Sequence, residues 1–150
     1  MKSKVVIAAA IALCLGAGVA GMASAAGEPQ VVRQGLMKKV GGSLGALSAI
    51  AKGTKPYDAA TVKASLSAIS ESAKAFPEQF PAGSETGFET SAAPAIWQNM
   101  ADFKARAAKL GSDADAILAS MPADQAGVAQ AIEKLGADCS ACHQTYRLKR

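Results

Sequence analysis

The chain is poor in the side chains that most often carry chemistry. Its 150 residues include one histidine, three cysteines and one tryptophan, and aromatics make up 5%. A structural zinc site needs four Cys or His ligands, and beyond residue 25 there are three: Cys139, Cys142 and His143. Scarce aromatics with abundant alanine argue against a β-sandwich and for closely packed helices. No dense basic run with interleaved aromatics is present, which argues against a nucleic-acid partner. No internal repeat appears beyond the helical period, and no βαβ pattern surrounds the cysteines.

The N-terminal segment is set apart from the rest. Lys2 and Lys4 precede an apolar run from Val5 to Val19, and Ala23-Ser24-Ala25 is a small-residue cleavage signal. Residues 1–25 therefore read as a cleaved export signal, and the mature chain as 26–150, starting at Ala26. The run is short for a stable membrane anchor. Cys14 lies inside it, with Leu13 where a lipoprotein site wants a small residue, and leaves with the signal. Losing Lys2 and Lys4 leaves 14 basic residues against 12 acidic, a formal charge of +2. The remaining 125 residues suffice for one domain with one core.

Near the other end stands Cys139-Ser140-Ala141-Cys142-His143. The spacing Cys-x-x-Cys-His is the attachment signature of a c-type haem. Two thiols each add across one vinyl group, and the adjacent imidazole becomes an axial iron ligand. The expected cofactor is one covalent haem c per chain, fastened by Cys139 and Cys142 with His143 on the iron. An exported chain meets an oxidising compartment, so the pair either carries haem or risks closing on itself.

The apolar spacing predicts four helices. Val32, Leu36, Val40, Leu44 and Leu47 form a stripe on a helix from about Pro29 to Ala51. Val62, Leu66, Ile69, Ala73 and Phe76 form a second seam, with Asp58 as N-cap and Pro77 as stop. A third helix opens at Pro94 and runs through Ile96, Met100, Phe103, Ala107, Leu110, Ala114 and Ile117 to Met121-Pro122. The fourth carries Val128, Ile132, Leu135, Cys139, Cys142 and Tyr146 on one face, with Asp124 as cap. Links at 52–57 and 120–123 are short, and the segment 78–92, with Pro81, Gly83 and Gly87, is longer. The fold expected is all-α, an antiparallel four-helix bundle with haem in the core.

The order of these pieces resembles the cytochrome c′ family, the class II c-type cytochromes. The resemblance rests on the C-terminal haem motif with Gln144-Thr145-Tyr146-Arg147 after it, and on Arg33-Gln34 in the first helix. It rests further on Lys52-Gly53-Thr54-Lys55-Pro56-Tyr57-Asp58-Ala59 and on Pro94-Ala95-Ile96-Trp97. It spans nearly all of the mature chain. The family's haem sits between the helices, bonded to the last one. In one branch an apolar residue of the first helix covers the iron; in the other a Met binds it, giving low-spin six-coordinate iron. Counting from Arg33-Gln34, that position is Met37. The resemblance also implies propionate contacts from Arg33 and Gln34, and from Ser84 and Glu85 in the long link, where this chain differs in length.

Met37 read alone is a core-filling methionine, and its place after Arg33-Gln34 is what the resemblance turns into a ligand. Met100 fits a packing seam and Met121 sits at a helix end, so neither competes as a ligand. Trp97, Phe103 and Tyr146 either wall the haem or only pack. Arg147 either pairs with a propionate or is solvated, and Lys38, Lys39, Lys149 and Arg150 read as surface or as a docking face.

The function expected is periplasmic electron transfer by a low-spin six-coordinate c-type cytochrome that is not an enzyme. Its partners are redox proteins, with no stable membrane insertion after signal cleavage, as a monomer or homodimer. The alternative is five-coordinate binding of nitric oxide or carbon monoxide. Peroxidase-like catalysis lacks a distal histidine or an acid–base pair.

Overall fold

The computed structural model describes residues 28–149. The export-signal reading of residues 1–25, the start at Ala26 and the placement of Arg150 lie outside the described residues.

Helix α1 spans Pro29–Ala51, with Pro29 in the first turn, where a missing N–H breaks no helical bond. Val40, Leu47 and Ile50 are buried on its inner face. Beyond its end Gly53 adopts φ 70°, and its N–H donates to the Ile50 carbonyl at 2.9 Å. Helix α2 spans Ala59–Ala75. The Asp58 carboxylate accepts from the Thr61 N–H at 2.8 Å and caps it, as expected. Pro77 falls within a 3-10 turn, Phe76–Gln79, into which α2 tightens.

The third expected helix is not continuous. The chain forms a single turn, α3 (Ala95–Gln98), and then α4 (Met100–Ala119). Between them Asn99 leaves the helical region at φ −137°, ψ 58°, and its side chain accepts from the Asp102 N–H at 3.4 Å. Asparagine offers the backbone a local partner that competes with the helical bond. The apolar spacing conceals this break because Ile96, 1% exposed, still packs with Phe103. Helix α4 ends at Ala119, just short of Met121-Pro122. Helix α5 spans Gln125–Tyr146, and the Asp124 carboxylate accepts from the Gly127 N–H at 2.8 Å.

Helices α1, α2, α4 and α5 form the antiparallel four-helix bundle. Each packs on two neighbours, in the closed order α1–α2–α4–α5. Gly111 explains how α2 and α4 come so close: a Cβ there would stand 3.2 Å from the Lys74 Cγ. That approach offsets the cost of about 1 kcal/mol that glycine carries inside a helix.

The apolar interior has two parts. One holds Leu47, Ile50, Val62, Leu66, Val128 and Leu135, all 2% exposed or less. The other is aromatic, with Phe80, Ile96, Phe103 and Tyr146. Phe103 is its hub, with ring centroids 4.8 Å from Phe80 and 5.3 Å from Tyr146, both edge-on. The link after the 3-10 turn crosses the bundle and meets the chain's end. Ala92 pairs antiparallel with Arg147, the Ala93 N–H donates to the Tyr146 carbonyl at 3.0 Å, and the Leu148 N–H donates to the Ser91 carbonyl at 2.8 Å.

Candidate cofactor site

The last turns of α5 carry Cys139, Cys142, His143 and Tyr146, and all four line one cavity of about 600 Å³. That size suits a cofactor site, for which about 300–1,000 Å³ is usual. The helical period brings Cys139 and Cys142 to one side, and His143 follows one turn beyond Cys139. Both cysteines are free thiols, half-buried. Burial pushes the Cys139 thiol up and the neighbouring Asp138 adds to this; Cys142 is also raised by burial, with Arg106 acting against it. Partial burial and the Arg147 cation push His143 below its usual value. The neutral imidazole so favoured is the form whose free nitrogen binds a metal.

Helix α1 forms the opposite wall. Arg33, Met37 and Gly41 succeed one another at four-residue steps, and all line the cavity. Among the described residues Met37 is the one methionine that does so. Met100 packs against the aromatic cluster and Met121 against the main core. At Gly41 a Cβ would meet nothing within 4 Å, so this stretch of α1 presents an open, flat face. Phe76, Phe80, Phe103 and Leu110 complete an apolar lining. Two free thiols and a lone imidazole on one wall, a thioether and a bare glycine on the other, and apolar sides between them fit a flat, apolar prosthetic group fastened to α5.

Arg33 and Gln34 also line the cavity, but their polar ends serve the crossing link. Arg33 is 3% exposed. Its guanidinium donates to the Ser84 carbonyl and the Thr90 hydroxyl, each at 3.0 Å, and stands 4.8 Å from the Phe80 ring centroid. Burial lowers its pKa, opposed by the Glu85 charge. Gln34 donates to the Glu89 carbonyl at 2.6 Å, and Gln30 to the Thr86 carbonyl at 2.8 Å. Ser84 and Glu85 do not line the cavity; Ser84 is buried behind Arg33. Trp97 also stands outside it, with its ring on Phe80 and its N–H 3.4 Å from the Pro81 carbonyl. Phe103, Tyr146 and Arg147 all line it.

Some cavity residues had no distinct signal in the sequence. Arg106 donates to the Ala141 carbonyl at 2.7 Å and to Asp102 at 2.7 Å, while Tyr146 donates to the same carboxylate at 2.5 Å. The i,i+4 spacing of Asp102 and Arg106 was legible, but their reach to α5 was not. Asp138 could have been noticed by its i,i+4 relation to Cys142. Thr90, Ser91 and Ala92 come from the link, whose path no periodicity predicts.

Residues 28–147 match the family model described as Cytochrome C′. The chain is 62% identical over 150 residues to cytochrome c-556 of Agrobacterium fabrum, with 100% of this chain and 99% of that protein covered. Among solved structures it is similar to cytochrome c′ from Rhodopseudomonas palustris, with TM-score 0.77 and 33% identity over 82% of this chain and 98% of that one. It is also similar to an NMR-validated structural model of oxidized cytochrome c556 from R. palustris, with TM-score 0.74 and 32% identity over 82% and 98% of the two chains.

Proposed function

The chain belongs to the cytochrome c′ family, a family of haem c proteins, and we infer that it is a periplasmic, low-spin electron carrier. The observation that carries this reading is the position of Met37. It is the one described methionine lining a cavity that also holds Cys139, Cys142 and His143. Cys139 and Cys142 would hold the haem by thioether bonds, and His143 and Met37 would bind its iron. Bound there, the haem supplies a one-electron ferrous–ferric couple.

The residues around it favour transfer without rearrangement. Partial burial and the Arg147 cation push His143 toward the neutral form that binds a metal. A neutral thioether ligand, which Met37 would supply alongside the His143 imidazole, would favour the ferrous state and raise the potential. The apolar part of the lining, Phe76, Phe80, Phe103 and Leu110, disfavours additional charge, which acts in the same direction. The protein in this reading binds and changes no substrate.

Export is supported by the Lys2–Lys4 start, the apolar run and the Ala23-Ser24-Ala25 signal. No helix among the described residues is long and apolar enough to cross a membrane.

Visible spectra of the exported, purified protein test the reading. Both oxidation states should be low-spin, with the weak far-red ferric band of sulfur–iron ligation. Met37→Ala should become high-spin and take up carbon monoxide rapidly. If the unaltered protein already behaves so, Met37 is not a ligand and the gas-binding function takes precedence.

A further inference from the structure

We propose that Asp138 sets the reduction potential of the haem in this cavity, its carboxylate acting as a buried anion that favours the ferric state. The proposal rests on haem occupying the cavity, and not on Met37 as a ligand. Asp138 lines the cavity, one residue before Cys139 and one helical turn before Cys142. Its side chain is 7% exposed. The Oδ1 atom accepts from the Lys109 ammonium at 2.6 Å, but Lys109 is shared, meeting Asp113 at 2.6 Å as well. The Oδ2 atom is buried and has no hydrogen-bond partner. A buried carboxylate oxygen without a partner lowers stability.

The charges in this group do not cancel at the cavity. Lys109 is 60% exposed, so water and salt screen it, whereas Asp138 is enclosed. Inside the cavity, where charges interact more strongly than in water, Asp138 acts against the Arg33, Arg106 and Arg147 cations that also line it. Oxidation removes one electron and adds one positive charge to the iron. A fixed anion on the same cavity wall stabilises that state and lowers the potential.

Equilibrium potentiometry of the holoprotein tests this. At the poise where the unaltered protein is half reduced, Asp138→Asn should raise the ferrous-to-ferric ratio about threefold or more, which at 59 mV per decade is about 28 mV. The shift should persist in concentrated salt, and Asp138→Glu, which keeps the charge, should restore the original potential. Asp113→Asn, outside the cavity lining, should shift it by less than half as much. If Asp138→Asn does not accumulate, Lys109→Gln should lower the potential by leaving the anion uncompensated. An unshifted potential in Asp138→Asn with an intact haem spectrum overturns the proposal, as does an equal shift in Asp113→Asn. A colourless exported protein overturns the haem reading itself.

Discussion

Replacing Arg33 by Met keeps an apolar stem and removes the guanidinium that ties the crossing link to α1. The consequence follows from what each acceptor keeps. The Ser84 carbonyl loses a 3.0 Å donor but retains Gln30 at 3.2 Å. The Thr90 hydroxyl loses another 3.0 Å donor but still accepts from the Ala92 N–H at 3.1 Å. The two longer contacts, to the Ser84 hydroxyl at 3.4 Å and the Gln79 carbonyl at 3.5 Å, are weak, and the acceptors of the two short bonds are not orphaned, so the larger desolvation penalty does not apply to them. A hydrogen bond to a charged group contributes about 1.5–3 kcal/mol. Burial of the cation, visible in its lowered pKa, offsets part of the pair's contribution. The net loss should be about 2 kcal/mol, lowering the melting temperature by about 8 °C for a domain of this size. Urea unfolding of the holoprotein measures the loss, and hydrogen exchange at the amides of Ser84 and Ala92 locates it. Arg33→Lys should not restore stability, because an ammonium lacks the planar fork that spans two acceptors. A loss below about 0.5 kcal/mol, with exchange in the link unchanged, would refute the reasoning.

Further predictions follow from the same contacts. Phe103→Ala should cost about 3–5 kcal/mol, because the ring is 1% exposed at the centre of the aromatic cluster; urea unfolding measures it, and a loss under about 1 kcal/mol would contradict that role. Acid should destabilise the protein. Asp102 is held below its usual 3.8 by the Tyr146 and Arg106 hydrogen bonds, Asp113 by Lys109, and Asp115 by Lys74 and Ser70. Their folded forms bind protons less readily than their unfolded ones, so stability present above about pH 4 is lost as pH falls through the folded values. Circular dichroism on acid titration should show that loss, and Asp115→Asn should make stability fall less steeply with acid; an unchanged slope would remove Asp115 from the effect.

How much was legible in the sequence depended on how local the cause was. The caps at Asp58 and Asp124 were readable because cap and partner lie three residues apart. The seams of α1, α2 and α5 were readable because one buried face imposes one period. The break at Asn99 was not, since Ile96, Met100 and Phe103 keep helical spacing across it while the backbone departs. The role of Gly111 was not readable either, since Lys74, which lies beside it, belongs to another helix. The cavity's motif residues were legible from spacing alone, and Met37 only through resemblance to a family. The second occupation of Arg33 and Gln34, holding the link, could not be seen, because their acceptors are backbone carbonyls more than 45 residues away. The placement of Asp138 beside Cys142 was readable, but its enclosure was not, because burial is a property of the packed molecule.

The crossing link is fastened at both ends of its course. Gln30, Arg33 and Gln34 grip it from α1, and Arg147 pairs with Ala92 just past α5. It thus acts as a tie-rod between the two walls that bear Met37 and His143. The gap between a thioether and an imidazole is governed in part by a stretch of chain that supplies neither. Lengthening or shortening that rod retunes the grip on whatever lies between the walls, with every gripping residue left in place.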